Sequence, residues 1–408
     1  MAASDLIRDY QVWVVLPDGD RRVAADFRLE TDARGRHRRS ALRYTGEWLA
    51  ASRSYALNPV QAPLAAAARE WETEWVPAVL DEVLPGRWER TVRQRLWGRR
   101  ADVDDLHAVL AAVGGSWRVG AVEIVPAGLE PPPLASPLCF ADLAELSEEA
   151  ERTWQHRTPE VEALRRMQGG SSVGGARPKV LVEDQGAWLV KFNRSDDAFN
   201  HARVEAACLM LAARAGIPVP ETRRVGAGRF EALAVKRFDV TDRGGRLGLL
   251  SANALLCDGA NQAPVPHPRY DDLVGIIRHH GSSPGRDLAQ LYAQMLFNQA
   301  INNRDDHLKN FSFLQDCDRF EFSPAYDLVP SEALGAYPQL GLGNSNILPT
   351  PGSDEAVQAG RNFMLAPAEA GRINEAICLA LAQLEEVMDV AELSDEDRRF
   401  LRQRVRGA

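Results

Sequence analysis

A polar segment from Asn302 to Asn310 constrains this chain most, because it separates two apolar patterns of different period. It reads Asn-Asn-Arg-Asp-Asp-His-Leu-Lys-Asn, with Leu308 as its one apolar residue. A helical apolar pattern precedes it, and a strand-like pattern begins at Phe311. A solvated turn between a helix and a strand needs no such density of polar side chains. In phosphoryl transfer, by contrast, a carboxylate orients the attacking hydroxyl and an Asn a few residues later holds a divalent metal.

The spacing of the polar residues favours a kinase. Asp305 and Asn310 stand five residues apart, as the base and a metal ligand do in a kinase catalytic loop. The segment 322–330 follows after about a dozen residues, roughly the interval to a kinase's second metal ligand. Its only carboxylate is Asp327. Taken alone, the polar segment also fits a solvated turn, and Asp327 also fits a turn cap.

The composition is that of a globular protein of two or three domains. The chain has 408 residues, of which 45% are hydrophobic and 26% are charged. No apolar run approaches the roughly 18 residues of a membrane span, and the first ten residues lack a signal-peptide core. Five cysteines without a Cys-x-x-Cys spacing predict a reducing cytoplasm. The net charge of −9 disfavours nucleic acid as the chief ligand.

Lysine is rare in this chain. Four of the 48 basic residues are lysines, namely Lys179, Lys191, Lys236 and Lys309. The retained lysines therefore indicate sites that need a compact ammonium, such as one that grips phosphate oxygens. Lys191 lies in an apolar strand pattern and shares a face with Leu189, so it needs an anionic partner, either ATP phosphates or Glu205. The alternative is a snorkelling lysine on an edge strand.

Two further segments fit nucleotide binding. The segment 171–179 reads Ser-Ser-Val-Gly-Gly-Ala-Arg-Pro-Lys and precedes a strand, where glycines let backbone N–H groups approach phosphates. It matches neither the Walker pattern nor Gly-x-Gly-x-x-Gly, so a linker loop is the alternative. The segment Val235–Asp239 ends the last strand before the helical half. Adenine would meet backbone groups there, and Asp239 would accept from a ribose hydroxyl.

The order of the patterns predicts a strand-rich half followed by a helical half. We expect a hairpin over residues 10–30, helical structure over 140–167 and 199–214, and strands at 180–182, 187–192 and 232–238. The proline-rich stretch 126–137 is the best linker candidate. The predicted domains are 1–130, an N-terminal subdomain, 131–240, an N-lobe with the glycine-rich loop, and 241–408, a helical C-lobe with the catalytic loop.

Taken together, these segments resemble the HipA family of serine/threonine kinases, the toxin half of type II toxin–antitoxin pairs. The matching motifs are Ser171–Lys179, Lys191, Val235–Asp239, Asp305–Asn310 and Ala325–Asp327. The segments Leu42–Tyr44, Trp48–Leu49 and Tyr55–Pro59 are similar to that family's N-terminal subdomain. The resemblance covers nearly the whole chain. It implies an α+β, two-lobed, protein-kinase-like fold with an extra N-terminal subdomain.

The resemblance implies a role for each matching position. Asp305 would be the catalytic base, assisted by the phosphate-binding side chains of Lys191, His307 and Lys309. Asn310 and Asp327 would be the magnesium ligands. The implied ATP-binding residues are Val173, Gly174, Gly175, Ala176, Arg177, Pro178, Lys179, Lys191, Lys236, Arg237, Phe238, Asp239, His307, Lys309, Asn310 and Tyr326. Ser172 would be the autophosphorylated serine, with Ser171 as the alternative acceptor.

One residue departs from the pattern: Arg304 stands where the family commonly has a small or hydroxyl residue. It would either lower the pKa of Asp305 or contact the substrate.

The implied activity is that of an ATP- and Mg²⁺-dependent serine/threonine protein kinase. It would phosphorylate a cellular protein, arrest growth, and be limited by autophosphorylation and by a helix-turn-helix antitoxin. DNA would be reached only through that antitoxin, and no membrane is expected. Two alternatives remain open: a catalytically weak scaffold or corepressor partner of a DNA-binding antitoxin, and a small-molecule kinase on the same fold.

Overall fold

The computed structural model describes residues 6–74, 76–97, 104–113, 118–131, 138–169, 175–256, 265–333 and 338–405. The chain divides into two compact units. The first comprises Met1–Phe192, Val225–Pro264 and Leu314–Arg319, and the second comprises Asn193–Arg224, Val265–Phe313 and Phe320–Ala408. The domain boundaries at residues 130 and 240 stay predictions. None of the helices in the described ranges is long and apolar enough to cross a membrane.

The first unit begins with a five-stranded antiparallel sheet of order β4-β3-β2-β1-β5. Its strands are β1 (Leu6–Val15), β2 (Arg21–Thr31), β3 (His37–Tyr44), β4 (Arg69–Trp71) and β5 (Val122–Pro126). The associated helices are α1 (Gly46–Ala50), α2 (Ala78–Asp81), α3 (Arg87–Trp97) and α4 (Leu106–Val113). The hairpin expected over 10–30 is formed by β1 and β2, with Tyr10 opposite Phe27. Both side chains are buried against Trp48 and Leu110 in one apolar core.

A second sheet, of order β6-β7-β9-β8, follows in the chain. The elements from here to the middle of the chain are α5 (Leu143–Trp154), α6 (Val161–Gly169), β6 (Lys179–Glu183), β7 (Ala187–Phe192), α7 (His201–Arg214), β8 (Thr222–Ala227), β9 (Phe230–Lys236), β10 (Gly248–Ser251) and α8 (Ala252–Leu255). One face of the sheet, including Trp188 and Val190, packs on Trp88 of α3 and Leu146 of α5. The opposite face carries Lys191.

The helical structure expected over 140–167 is present but interrupted, because two helices occupy this range. Helix α5 ends at Trp154, and α6 begins at Val161. Between them His156 has a left-handed backbone with φ 56°, and Pro159 disfavours a helical conformation at the residue before it. The residues between the two helices, 155–160, are polar apart from Pro159, so this break carried a local sequence signal that the expected helical stretch did not take into account.

The remaining elements are mainly helical. In chain order they are α9 (Tyr270–His280), α10 (Pro284–Ala300), β11 (Ser312–Gln315), β12 (Phe320–Phe322), α11 (Asp354–Ala359), α12 (Pro367–Leu381), α13 (Leu384–Val390) and α14 (Asp395–Arg402). Helix α10 is buried from Leu288 to Ala300 apart from Ala289, which is half-buried. A helix so enclosed is a rigid support, and the segment 302–310 begins directly at its C-terminal end.

Candidate active site

The segment 302–310 is fastened by its own asparagines. Asn302 has a left-handed backbone with φ 55°, a conformation that Asn tolerates better than most residues. The Asn303 side chain donates to Asn298 Oδ1 at 3.1 Å and accepts from the Asp305 backbone N–H at 3.1 Å. Asn310 Nδ2 donates to the Asp305 carbonyl oxygen at 2.7 Å. These side chains replace regular secondary structure as partners of the backbone and hold Asp305 in place on both sides.

The adjacent carboxylates of Asp305 and Asp306 lie in opposite environments. The side chain of Asp305 is 67% exposed, whereas Asp306 is 1% exposed. Asp306 accepts hydrogen bonds from Tyr270 Oη at 2.9 Å and from the Gln339 backbone N–H at 2.7 Å. Burial raises the pKa of Asp306 to about 6, against the opposing effect of these hydrogen bonds. Asp306 is therefore an internal anchor, and Asp305 is the carboxylate that reaches solvent.

The Asp305 carboxylate has three close neighbours. Gln339 Nε2 donates to Asp305 Oδ1 at 2.8 Å, and His307 Nε2 lies 3.8 Å from the same oxygen. Although the side chain is largely exposed, partial desolvation raises the pKa of Asp305. His307 lowers it, Asp327 raises it, and the Gln339 hydrogen bond lowers it. The arrangement presents a carboxylate whose basicity is kept up by a second carboxylate nearby, as proton acceptance from a hydroxyl requires.

Asn310 and Asp327 were predicted to hold magnesium, and their chemistry fits that ion. Asp327 lies close enough to Asp305 to raise its pKa, and its backbone is left-handed with φ 58°. The amide nitrogen of Asn310 is engaged by the Asp305 carbonyl, which leaves the amide oxygen as the ligand atom. Carboxylate and amide oxygens are the donors that Mg²⁺ prefers.

The protein alone would not complete a magnesium coordination shell. Within the described ranges, no cluster of three or more His, Cys, Asp or Glu side chains is arranged to hold a metal ion. Mg²⁺ in phosphoryl-transfer sites commonly takes one or two carboxylates and obtains its other oxygens from water and substrate phosphates. The ligand set of Asn310 and Asp327 is of that kind.

In the first unit, Lys191 lies directly opposite Lys179 across β6 and β7. The two lysines are 8% and 7% exposed. The face that Lys191 shares with Leu189 is the one predicted from the sequence. The strand register therefore places both ammonium-bearing side chains on the same face of the sheet.

The end of the glycine-rich loop lies against this lysine pair. Gly175 has φ 95°, and a Cβ built there would lie 2.6 Å from Lys179 Nζ. The Gly175 carbonyl accepts from the Trp88 backbone N–H at 3.0 Å, and Arg177 Nη1 donates to the Phe192 carbonyl at 3.1 Å. A side chain at position 175 would displace the lysine. Ser171, Ser172, Val173 and Gly174 lie outside the described residues.

The predicted ribose contact of Asp239 is disfavoured. Asp239 Oδ2 accepts from Arg237 Nη2 and from the Gly120 backbone N–H, both at 2.6 Å. Arg237 also donates to the Arg118 carbonyl. Burial alone would raise the pKa of Asp239, but Arg237 and the Gly120 N–H outweigh it and lower the pKa. The side chains of Arg237 and Asp239 are therefore part of this internal network.

Arg304 connects the segment 302–310 to helix α10. Its Nε donates to Asn302 Oδ1 at 3.0 Å and its Nη1 to Gln299 Oε1 at 2.6 Å. Its backbone N–H donates to Ser331 Oγ at 2.8 Å. Both predicted roles of Arg304, lowering the pKa of Asp305 and contacting the substrate, stay predictions.

Of the other predicted site residues, His307, Lys309 and Tyr326 lie in the second unit and Lys236 lies in the first. Lys309 is exposed and His307 half-exposed. Tyr326 Oη forms hydrogen bonds with Ser312 Oγ at 2.6 Å and with the Lys309 carbonyl at 3.0 Å, so it braces the segment against β11. In the first unit, Lys236 is exposed at the end of β9. The ligand contacts of these residues stay predictions.

The sequence motifs do not include two residues that contact the candidate catalytic carboxylates. Tyr270 begins helix α9, and Gln339 lies in an irregular stretch. Gln339 is 34 positions from Asp305, and Tyr270 is 36 positions from Asp306. Neither occurs in a motif, so no local signal would have found them.

Two curated relatives, both from Sinorhizobium fredii (strain NBRC 101917 / NGR234), are similar to this chain. "Putative kinase Y4mE" is 29% identical over 143 residues, which is 33% of this chain and 33% of the relative. "Putative kinase Y4dM" is 31% identical over 162 residues, which is 35% of this chain and 37% of the relative. The chain thus matches about a third of the length of these relatives.

A solved structure matches almost the entire chain. It is HipA of Shewanella oneidensis MR-1, in a toxin–antitoxin complex with HipB and its operator DNA. The TM-score is 0.65 at 18% identity, over 96% of this chain and 94% of that chain. At this identity the likeness shows the fold, and the predicted α+β fold is confirmed.

The family model for the HipA-like C-terminal domain matches residues 171–387. That range holds the lysine pair of β6 and β7, the segment 302–310 and Asp327. It covers more than half of the sequence, and the chain therefore belongs to the family with a HipA-like C-terminal domain.

Proposed function

We propose that this protein is an ATP-dependent serine/threonine protein kinase that requires Mg²⁺. The observation that carries the proposal is the exposed Asp305 carboxylate, oriented by Gln339 and placed on a segment whose backbone is fixed by Asn303 and Asn310. Membership of the HipA-like family and the names of the two curated relatives support phosphoryl transfer.

Each residue has a defined chemical task in this proposal. Asp305 accepts the proton of a substrate hydroxyl while the hydroxyl oxygen bonds to the γ-phosphorus and the bond from that phosphorus to ADP breaks. Lys179 and Lys191 neutralise phosphate oxygens, and Asn310 and Asp327 hold magnesium. When bound, Mg²⁺ would supply charge neutralisation at the phosphates.

The proposed physiological role is that of a growth-arrest toxin with a helix-turn-helix antitoxin as partner. The solved HipA structure, in a complex with HipB and operator DNA, supports such a partner. Activity would be limited by a phosphate on Ser172, whose charge beside the ATP triphosphate would drive the glycine-rich loop away. The candidates to hold that phosphate are Arg165, Arg166, Arg177 and Lys309, of which Arg166 also pairs with Asp142 and Glu145.

The test is Asp305→Asn, which preserves shape but removes proton acceptance. Purified protein is incubated with Mg-ATP and cell extract, and phosphorylated products are mapped by mass spectrometry. With the unaltered protein, we expect phosphoserine or phosphothreonine on a protein target and phosphate on Ser172. Neither should appear with Asp305→Asn. Asp318→Asn, an exposed carboxylate outside the site, should behave like the unaltered protein. Near-normal transfer by Asp305→Asn would reject Asp305 as the base, and phosphorylated small molecules alone would reject a protein kinase.

A further inference from the structure

We propose that Gln339 is a positioning residue for phosphoryl transfer, and that it holds the Asp305 carboxylate in the orientation that receives the hydroxyl proton. This inference rests on the proposed kinase function. Gln339 belongs to none of the sequence motifs, and it follows the predicted metal ligand Asp327 in the sequence.

Gln339 contacts both carboxylates of the catalytic segment through different groups. Its backbone N–H donates to Asp306 Oδ1 at 2.7 Å, and its side-chain Nε2 donates to Asp305 Oδ1 at 2.8 Å. The first hydrogen bond reaches Asp306, which is buried and also accepts a hydrogen bond from Tyr270 Oη. The second reaches Asp305, which is exposed. The backbone of Gln339 is thus anchored in the interior, and its side chain transmits that fixed position to Asp305.

Asp305 needs a partner of this kind because its own segment fixes only its backbone. Its N–H donates to Asn303 Oδ1, and its carbonyl accepts from Asn310 Nδ2. An exposed carboxylate would otherwise rotate among several rotamers. Among the described residues, the side-chain hydrogen bond that orients it comes from Gln339 and reaches Oδ1, so Oδ2 is the oxygen presented to a hydroxyl.

The neutral amide of Gln339 is well suited to orient the Asp305 carboxylate by hydrogen bonding. A guanidinium or ammonium in the same place would form a stronger, charge-assisted bond. It would also stabilise the ionised carboxylate and weaken it as a base. The neutral amide of Gln339 orients the carboxylate with a smaller loss of basicity. Displacement of a catalytic group by about 1 Å can cost roughly a hundredfold in rate, so orientation alone gives this residue a measurable effect.

The residues after Gln339 are docked on the first turn of helix α9. The Gly341 carbonyl accepts from the Tyr270 backbone N–H at 2.9 Å, and the Gly343 N–H donates to Asp271 Oδ2 at 2.7 Å. A Cβ at Gly341 would lie 2.7 Å from the Ser345 carbonyl oxygen, so this close approach requires glycine. The docked stretch 339–343 therefore determines where the Gln339 side chain begins.

The experiment compares Gln339→Ala and Gln339→Glu with the unaltered full-length protein. Both variants keep the backbone N–H that contacts Asp306, so the anchor remains. We expect Gln339→Ala to lower kcat for protein phosphorylation by roughly ten- to a hundredfold while KM for ATP stays within about twofold. Gln339→Glu should be lower still, because a second carboxylate repels Asp305 instead of donating to it. Gln383→Ala, a glutamine that contacts Arg214 far along the chain, is the matched control and should change neither parameter.

The relative kcat values of Gln339→Ala and Gln339→Glu distinguish a positioning role from simple packing. If Gln339 only filled space, the isosteric Glu would be tolerated better than Ala. A kcat for Gln339→Glu above that of Gln339→Ala, or an unchanged kcat for Gln339→Ala, overturns the inference. If Asp305→Asn is inactive while Gln339→Ala is fully active, the positioning role fails and the kinase proposal stands. If the unaltered protein transfers no phosphate, the proposed function itself fails.

Discussion

At the scale of single residues, the pair Asp305 and Asp306 shows how surroundings divide the work of identical side chains. Asp306 is enclosed by Tyr270 and the backbone of Gln339, so it serves as an attachment point. Asp305 remains exposed and oriented. Burial raises the pKa of Asp306 to about 6, which makes this anchor sensitive to pH.

The raised pKa gives a prediction about stability. A carboxyl group whose pKa is higher in the folded state than its ordinary 3.8 stabilises the fold fully below about pH 4 and loses that contribution as pH rises through 6. Ionising the Asp306 carboxyl group costs roughly 3 kcal/mol more in the folded protein than in the unfolded chain. Asp306→Asn keeps both hydrogen-bond partners and does not titrate.

Denaturant unfolding at pH 5 and pH 7.5 checks this. Between these values the unaltered protein should lose about 1 kcal/mol of unfolding free energy relative to Asp306→Asn. Asp318→Asn should follow the unaltered protein at both values. Parallel pH dependences for the unaltered protein and Asp306→Asn would show that Asp306 is not the group responsible.

At the scale of elements, strands β6 and β7 place Lys179 and Lys191 opposite each other. The left-handed Gly175 lies against the first of these lysines. This strand pair has a buried apolar face, with Val180 and Val190, and a face that gathers positive charge. The core packing of one face fixes the register, and the register brings the two lysines together.

We therefore expect Mg-ATP to stabilise the protein and Lys191→Met to weaken that effect. A ligand that binds only the folded state adds about 2.7 kcal/mol at roughly a hundredfold excess over its dissociation constant. Thermal melts with and without millimolar Mg-ATP measure the shift. Arg229→Met removes a positive charge that pairs with Glu148 at the turn between β8 and β9, and it should retain the full shift. An unchanged midpoint for the unaltered protein would argue against ATP binding.

At the scale of the whole molecule, the net charge is −9, and several arginines of the described residues form ion pairs with nearby acidic side chains. Arg39 of β3 pairs with Glu70 and Glu72. Near the C-terminal end, Arg402 pairs with Glu385. These ion pairs reduce the local positive charge that a phosphate backbone would attract.

The protein alone should therefore bind duplex DNA weakly at physiological salt, and it should reach DNA through its proposed antitoxin. Fluorescence anisotropy with a labelled random duplex measures this, with and without the neighbouring-gene antitoxin candidate. Tight, saturable binding by the isolated chain would contradict the expectation, as would the absence of any DNA complex when the antitoxin is added.

The sequence by itself determined the features that depend on residues close together in the chain. The alternation around Tyr10 and Phe27 predicted the hairpin, and the apolar strand around Lys191 predicted which face that lysine takes. The density of Asn and Asp between Asn302 and Asn310 indicated a functional segment, because those side chains replace regular backbone hydrogen bonds within a few residues.

Only the tertiary structure decided the features that depend on residues far apart. Gln339 meets Asp305 across 34 positions, and Gly120 meets Asp239 across 119. Which of two adjacent aspartates is exposed depends on the residues that enclose the other one, and no local pattern encodes that packing. For the same reason the carboxylate of Asp239, a candidate for ribose binding by its position in the sequence, is occupied inside the protein by Arg237.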